Sequence, residues 1–481
     1  MQRIFAPRRA EVRRTHYLLT YAILAAAVAS FSLLQSMTIP VLPRIEAEFA
    51  TSQTTVTWVL TAYLVSASVF TPIIGRLGDA YGKERMLVLS LLCLSLGSLL
   101  AALAPTIGVL IGARVITGIG GGVLPLSFGI VRDEFPAHRV AGAVSLVSSL
   151  MAVGFGAGIV VAGPIVDAFG YTWLFWLPFI VTLIAACGAW RFVPESPIKT
   201  PVRLPVLPAL LLAGWLVCLL LGLSQAPQWG WTSPAVIGLV SLAIVLAAGW
   251  IRVEQRIAVP LIDMQMMRLR GVWTTNLVAL LVGFGMYAAF GFLPQLMQTP
   301  ASTGYGLGAT VSVSGLLILP MAAASFVCGL ISAPLAVRFG AKGVVVTGCV
   351  MTAVGMGMLV SYHQTHAQVV VINGTIGFGI GLAFSSLAAL IIVAVPAEQT
   401  GVASGMNANI RTIGGAIGSA VMATIVTSQT DAGGLPLESG YTNGFTVLAA
   451  MMVVAALAGM LIPAASGRRL DPHLPLEPVA A

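Results

Sequence analysis

Two arginines lie inside long apolar runs, and they are the residues of this sequence best suited to hold a charged group. Arg114 lies in a run that begins near residue 107, and Arg411 lies about eleven residues into a run that begins near residue 400. A guanidinium presents five N–H donors and keeps its proton, so it can hold an anion but cannot relay protons. At the centre of a membrane helix a charge costs about 2.5–3.5 kcal/mol, which predicts that each arginine faces a cavity. For Arg114, in the outer part of its run, snorkelling to the interface is the alternative.

A second charged group follows the apolar run that ends near residue 75. Its glycines permit a tight turn with positive φ, its acid can face the N-terminus of a helix, and its cations can pair with acids near residue 133. A carboxylate at a helix N-terminus contributes about 0.3–1 kcal/mol, enough to bias one conformer without locking it. A solvated loop is the alternative. The candidate residues are Gly75, Leu77, Asp79, Gly82, Lys83, Arg85 and Asp133.

Aromatic and amide side chains inside the apolar runs are candidates to line a binding cavity. A pocket that accepts varied solutes needs aromatic surface and a few polar anchors. An aromatic ring facing lipid, or an asparagine bridging two helices, is an equal alternative for each of them. The candidates are Phe31, Gln35, Thr38, Tyr63, Asn276, Tyr287, Asn373, Asn407 and Asn409.

Motifs for catalysis, cofactors or metals are absent from the sequence. It contains no HExxH and no G-x-S-x-G, and Gly82-Lys83 is followed by Glu84 rather than by the Ser or Thr of a P-loop. The glycines of residues 118–122 lie within an apolar run, where they favour close helix packing over dinucleotide binding. The 5 cysteines also fall inside apolar runs and lack metal-ligand spacing. We therefore expect neither an enzyme nor a bound cofactor or metal.

The composition indicates what positions these residues. Of 481 residues 58% are hydrophobic and 8% are charged, and the mean hydropathy is +0.97, which excludes a soluble globular protein. The net charge of +8 is spread over short segments without interleaved aromatics, so a nucleic-acid partner is not expected. The fold class is an all-α membrane protein.

Windows long enough to cross a bilayer, about 20 residues in helix, recur along the chain. We predict fourteen spans, with membrane lipids as neighbours. They run over residues 18–41, 56–75, 86–104, 107–131, 140–166, 173–192, 205–225, 234–252, 272–297, 311–336, 343–361, 367–394, 400–427 and 443–465.

The basic residues predict the orientation. Of the 24 Lys and Arg residues, all except Arg44, Arg114 and Arg411 lie in the two tails, in the segments that follow even-numbered spans, or in the last two residues of such a span. Positive charge concentrates on the cytoplasmic side, so both termini are predicted to be cytoplasmic. The arginine-rich start is typical of a signal peptide as well, but its apolar run is too long, which favours an uncleaved first helix.

Two short segments are similar to each other and divide the chain. Aligning Gly82 of the segment 75–85 with Gly340 of the segment 333–342 also aligns Leu77 with Leu335. Parallel halves of this kind are typical of transporters, although chance similarity between two turns is an alternative. The predicted divisions are an N-terminal tail (1–17), a six-helix half (18–195), an inserted helix pair (196–255), a second six-helix half (256–465) and a C-terminal tail (466–481).

The segment from Gly75 to Arg85 resembles the signature loop of the major facilitator superfamily. With Trp58, Tyr63 and Pro72 upstream, it is similar to the fourteen-helix drug:proton antiporter branch of that superfamily. The resemblance covers residues 17–465 and implies two six-helix bundles plus two extra central helices. It also implies that the aspartate meets the start of span 13 and that the basic residue pairs with Asp133.

Other motifs of the branch are matched in part. Arg114, Gly118 and Gly120 resemble its span-4 motif, although Thr117 stands where the branch usually has glutamine. Span 5 resembles its antiporter motif with Ile159 and Ala162 as departures, and ordinary packing explains that motif equally well. The span-5 residues are Gly154, Gly158, Gly163 and Pro164, and residues 401–415 resemble the penultimate helix of the branch.

Proton coupling is the feature in which the sequence departs most from the branch. None of the 16 acids lies inside a predicted span, and span 1 lacks the usual aspartate. Either an acid just beyond the end of a span (Asp79, Asp133 or Asp167) takes the proton, or the charged substrate moves down its own gradient without proton exchange. Two arginines without an acid nearby predict an anionic or zwitterionic substrate, because a cation would be repelled.

The resemblance implies a monomeric, multi-pass inner-membrane carrier that exports a drug or secondary metabolite by alternating access, with protons as the expected coupling ion. A gradient-independent facilitator or an uptake carrier is the alternative. A non-transporting membrane sensor is a further alternative, but such proteins usually add a soluble signalling domain, and the sequence shows none.

Overall fold

The structure is a computed structural model, and it describes residues 17–196, 205–258, 260–396, 399–429 and 435–463. Apart from residue 17, the predicted tails 1–17 and 466–481 lie outside the described residues, and the predicted domain boundaries stay predictions. Fourteen of the helices are long and apolar enough to cross a membrane, which confirms the predicted all-α, fourteen-span architecture.

The first half consists of eight α-helices that form six spans. Ser52 and Thr106 cap two of the helices by accepting hydrogen bonds from backbone N–H groups in the first turn. The fourth span changes to a 3-10 turn at Gly120–Gly122. The helices are α1 (Tyr17–Ser36), α2 (Leu42–Glu48), α3 (Gln53–Tyr81), α4 (Lys83–Ala102), α5 (Ile107–Ile119), α6 (Val123–Glu134), α7 (Ala137–Phe169) and α8 (Trp173–Phe192).

The inserted pair is α9 (Val206–Trp229) and α10 (Pro234–Glu254). The second half contains seven α-helices, and Thr365 and Gln368 form a capping box at the start of one of them. Those helices are α11 (Met264–Arg268), α12 (Arg270–Gln298), α13 (Val311–Phe339), α14 (Ala341–Ser361), α15 (His366–Val393), α16 (Thr400–Thr427) and α17 (Glu438–Gly459).

The two similar segments are mostly helical, which corrects their prediction as loops, although each turns at a glycine with positive φ as the sequence predicted for the first of them. Helix α3 continues through Asp79 to Tyr81 and α4 begins at Lys83, so Gly82 alone joins them, with φ of 119°. Gly340 joins α13 to α14 in the same way, with φ of 78°. A helix satisfies its own backbone whether or not its residues are apolar, so hydropathy marks the lipid-buried part of a helix and not its end.

The same extension places acids within helices, where the sequence assigned them to loops. Asp79 and Asp167 each lie two residues before the end of a helix, and Asp133 lies one residue before the end of α6. Among the described residues, every acid within a membrane-crossing helix lies within two residues of a helix end. The apolar middle of the bundle therefore holds arginines without carboxylates in the described part of the chain.

Two helix pairs make the most extensive contacts between the halves. Helix α7 packs along α13, and α3 packs along α16. Small residues bring the backbones together: a Cβ built on Gly156 would lie 2.7 Å from the Cβ of Ala322. Helix α9 packs against both α3 and α16, so the inserted pair lies beside the seam between the halves, and α10 packs against α9.

Candidate substrate cavity and gate between the halves

A small cavity lies at the seam between the halves. It has a volume of about 30 Å3. That is room for one or two water molecules, well below the roughly 300–1,000 Å3 of typical ligand sites. Its walls come from both halves. The lining residues are Phe31, Gln35, Tyr63, Leu64, Ala67, Ser68, Thr71, Gly121, Leu124, Met151, Tyr287, Ala408, Asn409, Arg411 and Thr412.

Arg411 supplies the charge of this cavity. Its side chain is 4% exposed, its guanidinium lies 4.1 Å from the centroid of the Phe384 ring, and Tyr287 is a close neighbour. Its Nε has no hydrogen-bond partner among the described residues. A cation stacked on an aromatic face keeps most of its attraction for an anion, so the arrangement can bind a negatively charged group.

Three other buried polar side chains of the cavity also carry atoms that have no hydrogen-bond partner in the described part of the chain. They are the Oε1 of Gln35, the hydroxyl of Tyr63 and both amide atoms of Asn409. An unpaired polar atom in a region of low dielectric costs about 1–3 kcal/mol. The cavity therefore offers donors and acceptors, from both halves, that a bound solute could satisfy.

Arg114 does not line the cavity, contrary to the prediction, and it does not snorkel. Its side chain is 1% exposed, its guanidinium lies 4.6 Å from the centroid of the Tyr63 ring, and its Nε donates to the carbonyl of Val59 at 3.3 Å. Because it lies in the outer part of the span and its helix packs on α3, the nearest acceptor is a backbone carbonyl. Arg114 therefore packs against Tyr63 outside the cavity and does not reach the cavity itself.

Four other predicted lining residues lie elsewhere. The amide of Asn407 donates to Asn276 at 2.8 Å, and Asn373 donates to the carbonyl of Leu317 at 2.7 Å. Both contacts join neighbouring helices. A buried amide needs a hydrogen-bond partner, and here the partner lies on the neighbouring helix rather than in the cavity. Thr38 is 1% exposed at the start of the 3-10 turn after α1, beyond the cavity.

Sequence reasoning missed several lining residues that share one helical face. On α3 the residues Tyr63, Leu64, Ala67, Ser68 and Thr71 all reach the cavity. Their spacing follows the i, i+4, i+8 positions of one face. Extending that face from Tyr63 would have found Ser68 and Thr71 in the sequence.

The charged group of the sequence closes one end of the seam, which we call the Asp79 end. The backbone N–H of Val402, in the first turn of α16, donates to Asp79 Oδ2 at 3.2 Å. The backbones of α3 and α16 touch here without side chains between them, since a Cβ on Gly75 would lie 2.6 Å from the carbonyl oxygen of Gly401. The carboxylate thus caps a helix N-terminus of the other half.

A buried ion pair lies beside this contact within the first half. Lys83 Nζ is 2.7 Å from Asp133 Oδ2, and the two side chains are 3% and 4% exposed. Ser196 also donates to Asp133 Oδ2, at 2.7 Å. Arg85 pairs instead with Glu195 at 3.1 Å, at an exposed position. The pairing between Lys83 and Asp133 joins α4 to α6 in the half that carries Asp79.

Arg132 makes further bonds across the seam at the Asp79 end, and sequence reasoning did not single it out. Its guanidinium donates to the carbonyls of Ile392, Val395 and Pro396 at 3.0, 3.0 and 3.2 Å, and to Thr400 Oγ1 at 2.6 Å. The three carbonyls end or follow α15, where the negative end of the helix dipole attracts a cation, and Thr400 begins α16. The sequence signal was a single arginine next to Asp133.

Among the described residues, no cluster of three or more His, Cys, Asp or Glu is placed to hold a metal ion. The arrangement is two helical halves with a polar cavity between them and a charged closure at one end. A model of the Major Facilitator Superfamily matches residues 24–419, most of the chain. The chain belongs to the Major Facilitator Superfamily.

Two mycobacterial proteins that are similar to this chain carry multidrug names. The chain is 30% identical over 392 residues to the multidrug resistance protein Stp of Mycobacterium tuberculosis, covering 80% of this chain and 71% of that one. It is 27% identical over 460 residues to the multidrug efflux pump LfrA of Mycolicibacterium smegmatis, covering 94% and 89%. The chain is therefore a transporter of the multidrug-efflux kind.

A solved structure supports the superfamily fold. The human organic anion transporter MFSD10 (TETRAN) superposes with a TM-score of 0.65 at 16% identity, over 94% of this chain and all of that one. At that identity the likeness shows the fold alone.

The span-5 glycines lie where α7 contacts neighbouring helices closely. A Cβ on Gly154 would lie 2.9 Å from the Cβ of Ser32, and one on Gly158 would lie 2.9 Å from the carbonyl oxygen of Leu33. Gly163 faces Ser312 of the other half instead, and α7 runs unbroken through Pro164. These contacts support the packing interpretation.

We expect Arg132→Ala to open the Asp79 end. Among the described residues the change removes at least four hydrogen bonds between the halves, and bonds to a charged group contribute about 1.5–3 kcal/mol each, enough to raise the open population about tenfold or more. Spin labels introduced as Tyr81→Cys and Phe339→Cys, in a cysteine-free background, should show longer distances. Arg139→Ala is the matched control, because Arg139 bonds Tyr17 within one half. Identical distance distributions in both variants would contradict this role.

Proposed function

We propose that the chain is a secondary active transporter that exports a small organic solute across the plasma membrane, with both termini in the cytoplasm. The names of its relatives support export of drugs or antibiotics. The distribution of Lys and Arg supports an inward-facing Asp79 end.

One observation carries the mechanism: a polar cavity lies at the seam between the halves, and it is closed at the Asp79 end by contacts that cross the seam. At about 30 Å3 the cavity is too small for a drug, so the halves must separate to admit one. Breaking the contacts of Asp79 and Arg132 with the other half opens the cytoplasmic side, and reforming them closes it. This is alternating access.

The substrate class follows from the charge of the cavity. Arg411 is its cation, and the lining residues include no Asp or Glu. A carboxylate or sulfonate on the substrate would pair with the guanidinium, and the aromatic rings of Phe31 and Tyr63 would cover the apolar remainder. An anionic or zwitterionic solute therefore fits better than a cation.

Asp79 is the group we propose for proton coupling. It accepts from Val402, and Lys83 and Arg76 are the charged neighbours that act on it. Protonation would remove the negative charge that faces the N-terminus of α16 and so weaken the closure. A proton on Asp79 would thereby favour the conformer open to the cytoplasm. Transport independent of a proton gradient is the second candidate, because the described middle of the bundle holds no acid.

Counterflow in proteoliposomes tests the proposal. Purified protein should exchange a labelled acidic drug, and an imposed pH gradient should raise its accumulation severalfold. Asp79→Asn should abolish that increase while leaving exchange measurable. Asp167→Asn, at the opposite end of the seam, is the matched control and should retain the response to the gradient. A wild-type exchange rate that does not change with the pH gradient would show a facilitator rather than a proton antiporter. A failure to exchange any solute would contradict the proposal that the chain is a transporter.

A further inference from the structure

An apolar cleft lies on the opposite face of α3 from the substrate cavity. We call it the lateral cleft. It has a volume of about 390 Å3 and lies between α3, α5 and α9. Its lining is apolar apart from one serine. The lining residues are Trp58, Ala62, Val65, Ser66, Val69, Phe70, Ile111, Val115, Ala213, Val217 and Leu221.

The lateral cleft opens toward lipid. Its floor is α3, where Ala62, Ser66 and Val69 are buried. Its rim consists of Val115 on α5 and Val217 on α9, which are 40% and 37% exposed although both lie well inside membrane-crossing helices. Side chains exposed at this position of a membrane-crossing helix face acyl chains, so the opening between α5 and α9 meets the surrounding lipid.

Hydrogen bonds hold the walls of the lateral cleft in place. Thr61 and Ser224 bond to each other at 2.9 Å and join α3 to α9, and the hydroxyl of Ser66 donates to the carbonyl of Val115 at 2.6 Å. The second bond also occupies the only lining hydroxyl. The cleft is therefore a preformed space without a free hydroxyl to bind a polar group.

The shape of the lateral cleft matches a hydrocarbon chain. From Trp58 to Phe70 the floor helix rises about 18 Å, slightly more than the roughly 15 Å of hydrocarbon in one leaflet. Trp58 lies near the start of α3, so the cleft occupies the leaflet away from the Asp79 end. A space this long, apolar and parallel to the membrane normal fits an extended chain better than a compact solute.

We propose that the lateral cleft binds one acyl chain of a membrane phospholipid, in the leaflet opposite the Asp79 end. The chain enters between Val115 and Val217, and its headgroup stays at the interface near the start of α3. A bound acyl chain fills the space between α9 and α3, the helix that separates the lateral cleft from the substrate cavity. This site depends on the membrane-crossing fold and not on the proposed export activity.

Photolabelling tests the site. The full chain is placed in nanodiscs of phosphatidylethanolamine and phosphatidylglycerol with a trace of a phosphatidylcholine that carries a diazirine midway along one acyl chain. Labelled peptides should concentrate on residues 58–70, 111–115 and 213–221. Val217→Trp and Ala213→Trp, two separate variants that fill the cleft, should each lower this labelling severalfold.

Val245→Trp is the matched control, because Val245 lies on the lipid-facing side of α10 at a similar depth and is 65% exposed. It should leave the labelling unchanged. Uniform labelling of all lipid-facing helices, with no loss in either filled variant, would overturn the proposal. Displacement of the label by a lipophilic dye at concentrations far below that of the lipid would assign the cleft to solutes instead.

Discussion

Replacing Arg411 with alanine should lower exchange of an anionic substrate about tenfold to a hundredfold, while the protein stays folded. A hydrogen bond to a charged group contributes about 1.5–3 kcal/mol, and each 1.4 kcal/mol is a factor of ten. Arg411 is the only charged residue among those that line the cavity. Counterflow of one anionic and one cationic dye, with thermal stability measured in parallel, checks the effect.

Two controls separate charge from geometry and from nonspecific damage. Arg411→Lys keeps the charge but not the planar stacking on Phe384, so a partial recovery of anion exchange is expected. Arg338→Ala removes a guanidinium that also lies over a phenylalanine ring, at an exposed helix end, and should have little effect. Equal exchange of the anion by Arg411→Ala and the wild type would refute the proposed site.

Replacing Lys83 with methionine should destabilise the protein by about 3–5 kcal/mol, because breaking a buried ion pair leaves an uncompensated charge. The side chains of Lys83 and Asp133 are 3% and 4% exposed, and Asp133 would keep only the hydroxyl of Ser196 among these partners. A clear fall in the apparent melting temperature in detergent is the expected result.

The double variant Lys83→Met/Asp133→Leu should recover most of this loss, since replacing both partners of a buried pair with apolar groups is often neutral. Arg85→Met is the control from the same segment. Its pair with Glu195 is exposed, with side-chain exposures of 69% and 26%, so a change within about 1 kcal/mol is expected. Similar losses in Lys83→Met and Arg85→Met would show that burial of the first pair does not govern its contribution.

Asn407 and Asn409 show why the cavity was only partly predictable. Both are amides within one apolar run, and sequence reasoning placed both in the cavity. Two residues are about 200° apart around a helix, so the two side chains point to nearly opposite faces. Asn409 lines the cavity, and Asn407 bonds Asn276. The rotation of α16 about its axis decides between them, and that rotation is set by packing against α3 and α12.

The arginines make the same point. The sequence showed that a charge inside a membrane helix needs a partner or a cavity, but it did not show which. Arg411 lines a cavity and stacks on an aromatic ring, whereas Arg114 stacks on Tyr63 and donates to a backbone carbonyl. Arg132, which lay outside the predicted spans, was missed because its partners are carbonyl groups about 260 residues away along the chain.

The sequence by itself determined the number of spans and the superfamily, because the length of apolar runs and the spacing of glycines and charges are local properties, and a membrane-spanning segment must be long and apolar. Only the tertiary structure decided which polar groups face the cavity and which ones bond between helices. It also showed that the charged segment consists of two helices joined by one glycine. Buried polar groups must be satisfied, but the partner is chosen by helix rotation and by contacts between residues far apart in the chain.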